Sequence, residues 1–176
     1  RDAATRRNFL AAMEETVTLL QNHPCVCLWT IFNEGWGQFD ADAAYDRLKG
    51  LDSSRFIDST SGWFWQNKSD VDSYHVYFKQ IDLKMGDRPL VLSEFGGYAC
   101  KLPGYYYGRR RDYGYKRCAD RDALTKNLRR LYREEIKPMQ ARGLSAAIYT
   151  QLSDVEDETN GLLTYDREIM KVDSIF

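Results

Sequence analysis

From Asp2 to Asn22, apolar residues recur at Leu10, Met13, Val17 and Leu20. Spacings of three and four put them on one face of an amphipathic helix, which Pro24 ends because its ring cannot continue a helical turn. The next stretch, Cys25 to Phe32, is apolar at nearly every position, the pattern of a strand buried on both faces of a parallel sheet. Cys25 and Cys27 are expected there as small buried hydrophobes. The run stops at Asn33-Glu34.

A second helix is predicted from Asp40 to Leu51, with Ala43, Ala44 and Leu48 facing inward. Strands follow at Phe56 to Thr60, Val71 to Tyr77 and Leu90 to Glu94, the last introduced by Pro89 and closed by Phe95-Gly96-Gly97. Leu124, Leu128, Leu131, Tyr132, Ile136 and Met139 mark a long helix from Asp120 to Arg142, with Gly143 as its left-handed stop and Pro138 placed to kink or shorten it. Ser145 to Gln151 reads as a final strand, and Asp154 to Phe176 as a polar loop and tail. Strands alternating with helices or long crossings imply a parallel α/β arrangement, either a doubly wound sheet or part of a barrel. In both, functional groups belong at the carboxyl ends of the strands, where Asn33, Glu34 and Glu94 fall.

Composition narrows the partners. Lys and Arg number 25 against 26 Asp and Glu, a net charge of −1 that offers no long-range attraction to nucleic acid or an anionic membrane. No apolar run approaches the ~20 residues of a membrane span, and Arg1 to Asn8 lack the apolar core of a signal peptide, so neither a nucleic-acid nor a membrane partner is expected and the compartment stays open. The 4 cysteines form no C-x-x-C pair and the 2 histidines have no ligand spacing, so no zinc site is expected. A disulfide between Cys100 and Cys118 stays open. The carboxylates of Asp154, Glu156, Asp157 and Glu158 lack the glycine-directed spacing of a calcium loop, and neither a metal nor a cofactor is expected. At 176 residues the chain falls short of the ~250 usual for a whole eight-fold β/α barrel.

The chemistry-bearing positions are the two glutamates. Ionising a carboxyl at the end of an apolar strand is costly unless something compensates, and two facing one cleft repel, which leaves a protonated acid beside an ionised carboxylate. That pair is what glycoside cleavage requires. The plainer alternative is that each is paired with a nearby arginine.

The words around them carry a resemblance. Asn22-His23-Pro24, the apolar strand, and Asn33-Glu34-Gly35-Trp36-Gly37-Gln38 resemble the acid/base segment of glycoside hydrolase family 2, the group of β-galactosidases, β-glucuronidases and β-mannosidases. Ser93-Glu94-Phe95-Gly96-Gly97 resembles that family's nucleophile segment, and Tyr149-Thr150-Gln151 through Asn160-Gly161-Leu162-Leu163-Thr164-Tyr165-Asp166 its last barrel strand and exit. The resemblance implies strands four to eight of a (β/α)8 TIM barrel across residues 1–176. Strands one to three and the upstream β-sandwich domains would then be missing partners, and pairing with a second copy is one way to cover the open edge.

It also implies a retaining exo-β-glycosidase that works on a carbohydrate substrate by double displacement, with Glu34 as general acid/base and Glu94 as nucleophile. Asn33 would hold the sugar 2-hydroxyl, and His75 would hold a sugar hydroxyl or orient the nucleophile. Trp36, Trp63 and Trp65 would lie at the mouth, where one of them stacks on a sugar face. Five strands cannot close an eight-stranded barrel, so the isolated stretch is expected to be inactive. The competing reading is a non-catalytic carbohydrate-binding or assembly fragment with relic carboxylates. The loop Gly104 to Arg117 interleaves tyrosines with basic residues; it suggests single-stranded nucleic-acid binding in isolation, and after the Glu94 strand a site wall whose Arg109, Arg110 and Arg111 favour acidic glycans.

Overall fold

The structure, a computed structural model, describes residues 2–108 and 112–173. Arg109, Arg110 and Arg111 of the expected site wall therefore lie outside the described residues. In chain order the elements are α1 (Ala3–Leu20), β1 (Leu28–Asn33), α2 (Ala41–Leu51), β2 (Phe56–Ser61), β3 (Asp72–Val76), β4 (Leu90–Gly96), β5 (Tyr98–Ala99), β6 (Lys116–Arg117), α3 (Arg121–Leu131), a π-helical turn (Tyr132–Ile136), α4 (Lys137–Ala141) and β7 (Leu144–Thr150). They form two compact units, one of Arg1–His75 with Gly86–Val91 and one of Val76–Met85 with Leu92–Phe176.

In the first unit, Asp2 caps α1 by accepting from the Thr5 N–H at 2.8 Å, which satisfies one of the donors that a helix start leaves open. Strands β1 and β2 pair in parallel, with Leu28 opposite Phe56 and Asn33 opposite Ser61, so the two strands end level. The core joins Val17 of α1, Trp29, Ile31 and Phe32 of β1, Ala41, Ala44 and Leu48 of α2, and Ile57 of β2. Phe9 stacks on Phe32 with ring centroids 5.0 Å apart, and Phe39 meets both edge-on. At the opposite end of the unit, the Asp72 N–H donates to the Pro89 carbonyl at 3.0 Å, which sets the start of β3 against the start of β4.

Three expectations are corrected here. Cys25 and Cys27 are exposed and precede the strand, which begins at Leu28. The cause is Arg55, whose guanidinium donates to the carbonyls of Gln21 (2.7 Å), His23 (3.1 Å) and Val26 (2.7 Å) and holds this segment as a turn. Strand β1 is not buried on both faces: Trp29, Ile31 and Phe32 are buried, whereas Thr30 and Asn33 are exposed. Its only pairing among the described residues is with β2. In α2, which starts at Ala41 after Asp40 in a left-handed turn, the inward stripe is Ala41, Ala44 and Leu48, spaced three and four apart on one face, and Ala43 is exposed.

In the second unit the end of β4 lies beside β7. The long helix is interrupted. Asp120 caps α3 through the Ala123 N–H at 2.7 Å, and the π-helical turn follows directly before Pro138. Proline has no N–H to give to the preceding turn, and the wider turn accommodates that gap. Gly143, with φ 115°, ends α4 as expected. Cys100 and Cys118 are free, buried thiols, so the open question of a disulfide is answered in the negative. The tail is a built structure as well as a polar loop: Lys171, fully buried, donates to Asp154 (2.7 Å) and to the carbonyls of Thr159 and Cys100 (both 3.0 Å).

A second buried ion pair anchors the first unit. Asp52 accepts from the Ser54 hydroxyl (2.6 Å), the Trp29 indole (2.9 Å) and Arg55 (2.7 Å), and these contacts hold its carboxyl well below the usual carboxylate range. A lowered folded-state pKa means that this stabilisation is complete above the unfolded value of ~3.9 and is lost as the pH falls through and below it. Asp52→Ala leaves Arg55 buried without its partner and is expected to cost about 3 kcal/mol, read as a lower urea midpoint. The gap to wild type is expected to narrow on acidification, because the wild type then gives up the same contacts.

Candidate active site

The carboxyl end of β1 turns sharply. Glu34 has φ 51°, and Gly35 and Gly37 follow at φ 75° and 78°. The Glu34 N–H donates to the Ser61 carbonyl at 3.0 Å, tying the turn to the end of β2, and the Trp36 N–H returns to the Asn33 carbonyl at 2.9 Å. A left-handed glutamate is an unfavourable backbone choice, retained only where the surroundings hold it. Gly35 is held against the Phe64 ring, which a Cβ there would meet at 2.5 Å.

The Glu34 side chain is 18% exposed, and its Oε1 lies 2.8 Å from His75 Nδ1. His75, delivered by β3, has a fully buried side chain; its other nitrogen, Nε2, is 3.1 Å from Ser61 Oγ. The ring occupies the space above Gly62, where φ is 84° and a Cβ would come within 2.5 Å of it. Only glycine fits there. Trp63 packs beside the same imidazole with centroids 6.0 Å apart.

Beneath His75 lies Asp58 of β2, 1% exposed. The Ser73 hydroxyl donates to its Oδ1 at 2.9 Å, and the Ser61 hydroxyl and the Thr60 N–H lie close enough to favour its charged form. Burial pushes the Asp58 carboxyl above its ordinary range while these donors pull against the shift.

In the second unit β4 carries Glu94. The Tyr77 phenol donates to Glu94 Oε2, and Thr150 Oγ1 lies 3.1 Å from the same phenol oxygen. Burial and the Glu94 contact push the Tyr77 phenol far above its usual pKa, so it remains a donor. Tyr115 stacks on Tyr77 at 3.7 Å, nearly parallel, and fixes the ring. Behind Glu94, buried Phe95 meets Tyr132 and Tyr149 edge-on at 5.8 and 5.7 Å.

The expected site residues are thus partly gathered. Glu34, His75 and Trp63 meet in one cluster of the first unit. Asn33 is exposed at the end of β1, and Trp36, 78% exposed, projects from the turn beyond it. Trp65 donates its indole N–H to the Ser73 carbonyl at 3.0 Å and packs on Tyr74. Asp154 of the acidic tail cluster is paired with Lys171. Asp58, Ser61 and Tyr77 were not anticipated. The available signals were a polar run, Asp58-Ser59-Thr60-Ser61, in a strand-like stretch, and a tyrosine ending the run that carries His75.

Glu34 directly follows β1 and is held by a histidine, Glu94 lies near the end of β4 and is held by a tyrosine, and sequence comparison assigns the class. Residues 1–107 match the family described as glycosyl hydrolases family 2, TIM barrel domain, and the chain belongs to that family of glycoside hydrolases. Among solved structures it is similar to the β-D-glucuronidase of Dictyoglomus thermophilum, with 18% identity, a TM-score of 0.62, and coverage of 96% of this chain and 34% of that one. It is likewise similar to the family 2 β-galacturonidase of Eisenbergiella tayi bound to galacturonate, with 18% identity, a TM-score of 0.64, and coverage of 97% and 37%. The chain therefore spans about a third of the length of these relatives, and at such identity the likeness concerns the fold. Comparison with curated proteins finds no match.

Gly62→Ala tests the packing of the His75 cluster. Placing a methyl against the imidazole at positive φ is expected to cost about 1–3 kcal/mol and to displace the ring. The readouts are a lower melting temperature and a changed His75 side-chain NMR signal. Unchanged values for both would show that the close approach does not hold the ring.

Proposed function

We propose that residues 1–176 form the carboxyl-terminal part of a glycoside hydrolase family 2 catalytic barrel, with β1, β2, β3, β4 and β7 as strands four to eight. The reaction is retaining hydrolysis of a terminal β-glycoside. Glu94 attacks the anomeric carbon and forms a covalent glycosyl-enzyme while Glu34 protonates the departing oxygen; Glu34 then takes a proton from water, which releases the sugar with its original configuration. The observation that carries this reading is that Glu34 directly follows β1 and Glu94 lies near the carboxyl end of β4, both inside the stretch that matches the family. Retention requires the two carboxyl groups to work ~5–5.5 Å apart.

The neighbours suit these roles. An imidazole at 2.8 Å can share a proton with Glu34, as an acid/base residue needs, and a protonated phenol steadies the charge on Glu94 between turnovers. Asn33, exposed beside Glu34, donates to the sugar 2-hydroxyl, and Trp36 and Trp63 offer faces for a sugar ring. The relatives act on β-glucuronides and β-galacturonides, so a β-linked hexose or hexuronic acid is the substrate class. The remaining barrel strands and accessory domains of the parent enzyme complete the site. They would cover the apolar groove of Phe9, Met13, Val17 and Ile31 beside β1, and Ile148, half exposed on β7.

In the intact enzyme, Glu94→Gln is expected to lower kcat by roughly a thousandfold or more. With azide, Glu34→Ala is expected to yield the β-glycosyl azide and Glu94→Ala the α-glycosyl azide, because azide replaces the incoming water in one and the nucleophile in the other. The reverse pattern, read by NMR of the products, would exchange or remove the two roles.

The 176-residue chain alone is expected to turn over nitrophenyl β-glycosides at a negligible rate. Robust turnover that disappears in Glu94→Gln would show instead that these strands assemble a working site unaided.

A further inference from the structure

Trp63, Phe64 and Trp65 follow one another after β2, and the hydrolytic reading uses only the first of them. Trp63 packs beside His75 and Trp65 on Tyr74, while the Phe64 side chain is left 67% exposed. An exposed phenylalanine by itself needs no explanation. This one has a left-handed backbone, φ 59°, which is unfavourable for a bulky residue and persists only where the surroundings fix it.

Three residues fix it. The Phe64 carbonyl accepts from the side-chain amides of Gln38 (3.0 Å) and Gln66 (3.1 Å), and Gly35, directly after Glu34, leaves room for the ring. Gln38 Oε1 is enclosed without a hydrogen-bond partner, a cost borne by the residue whose amide reaches Phe64. An exposed ring is thereby locked against the turn that carries Glu34. It forms one wall of a hollow of about 780 Å³, within the ~300–1,000 Å³ usual for ligand sites, whose other walls include Gly35, Gln38, Gln66 and the start of α2 with Asp40 and Asp42. A general acid delivers its proton to the departing oxygen, so the leaving group sits on the Glu34 side of the broken bond. The hollow that begins at Gly35 is on that side.

Its lining selects what can leave. Among the described residues no lysine or arginine lines the hollow. A helix start alone favours an anion, but Asp40 and Asp42 already bring negative charge to this one and repel an acidic group. Asp40 is bonded to Arg6 (2.7 Å), and Asp42 accepts from the Asn67 amide (2.8 Å) and the Lys68 N–H (2.9 Å). Each carboxylate keeps lone pairs for further donors. A flat apolar ring edged by acceptor oxygens matches a neutral sugar, whose C–H face packs on the ring while its hydroxyls donate to the carboxylates.

We propose that Phe64 is a specificity-determining residue, the platform on which the leaving sugar stacks, and that the substrate is a β-linked disaccharide or longer glycan whose second sugar is neutral. The proposal rests on the reading of Glu34 as acid/base.

The test uses the intact enzyme and compares kcat/KM for three β-glycosides of galactose, glucuronic acid and galacturonic acid, with glucose, methanol or benzyl alcohol as the leaving group. All three depart as alcohols and need the same proton, so a variant that merely disturbs Glu34 slows them alike. Glucose fills the hollow with a hydroxylated ring, benzyl alcohol fills it with a bare one, and methanol leaves it empty. Phe64→Ala is expected to lose roughly tenfold in kcat/KM on the glucose-releasing compound relative to the methyl glycoside, and Phe64→Tyr to recover most of that loss. Gln38→Ala, which releases the Phe64 carbonyl, is expected to show the same split in weaker form. Equal losses on the glucose-releasing and methyl compounds, or none, would overturn the proposal. The wild type is expected to favour glucose over benzyl alcohol as the leaving group; the reverse order would assign the hollow to an aromatic group and reject the neutral sugar. Glu34→Gln is the separate control, expected to retain activity on a 2,4-dinitrophenyl glycoside, whose phenolate departs unprotonated, and to lose it on the methyl glycoside. Equal loss on those two would reject the acid/base reading itself, and the hollow would lose its leaving-group side on that ground.

Discussion

In the proposed role Glu34 must give up a proton and take it back, and such a group has to be held without being neutralised by a permanent cation. The contact between Glu34 and His75 meets that constraint, because an imidazole holds a carboxyl group by a hydrogen bond while leaving its protonation adjustable. Much of the first unit follows from it. The ladder of β1 and β2 brings Asn33 level with Ser61, the turn that ends β1 is bonded to the Ser61 carbonyl, and Gly62 clears the space for the ring. A change at any of these points would move one partner away from the other.

The second unit answers a different demand. In the proposed role Glu94 must stay ionised and correctly aimed, and its partner is accordingly a phenol that burial keeps protonated. Stacking on Tyr115 limits the phenol to one orientation. Histidine and tyrosine thus divide the work: one holds Glu34 through a ring nitrogen, and the other donates a phenol hydrogen bond to Glu94.

What could be read from the sequence followed from how strongly each residue type constrains its surroundings. An apolar run broken by a glutamate has few explanations, so the positions of Glu34 and Glu94 at or near strand ends were legible, as were the helices and the five longer strands. Asp58 and Ser61 were not, because a short polar strand reads the same whether it faces water or is sealed inside, and only the packing of β3 over it decides. Tyr77 carried only the weak signal of its place at the end of the run that holds His75, since tyrosine is equally at home in a core and in a site. Cys25 and Cys27 were misplaced because hydropathy cannot see that a distant Arg55 binds the carbonyls around them. The π-helical turn was foreshadowed by Pro138, although periodicity alone would have drawn one straight helix.

Lys171 has a wider bearing on how the chain holds its closing segment. Its ammonium has three hydrogens, and Asp154 and the carbonyls of Thr159 and Cys100 engage them from two separate stretches of chain. A cation sealed in this way works like the pin of a lock: neither stretch can shift without stranding a charge away from water. Lys171 is therefore a fastening of the second unit, and the loop from Asp154 to Thr159 moves only together with the segment after β5.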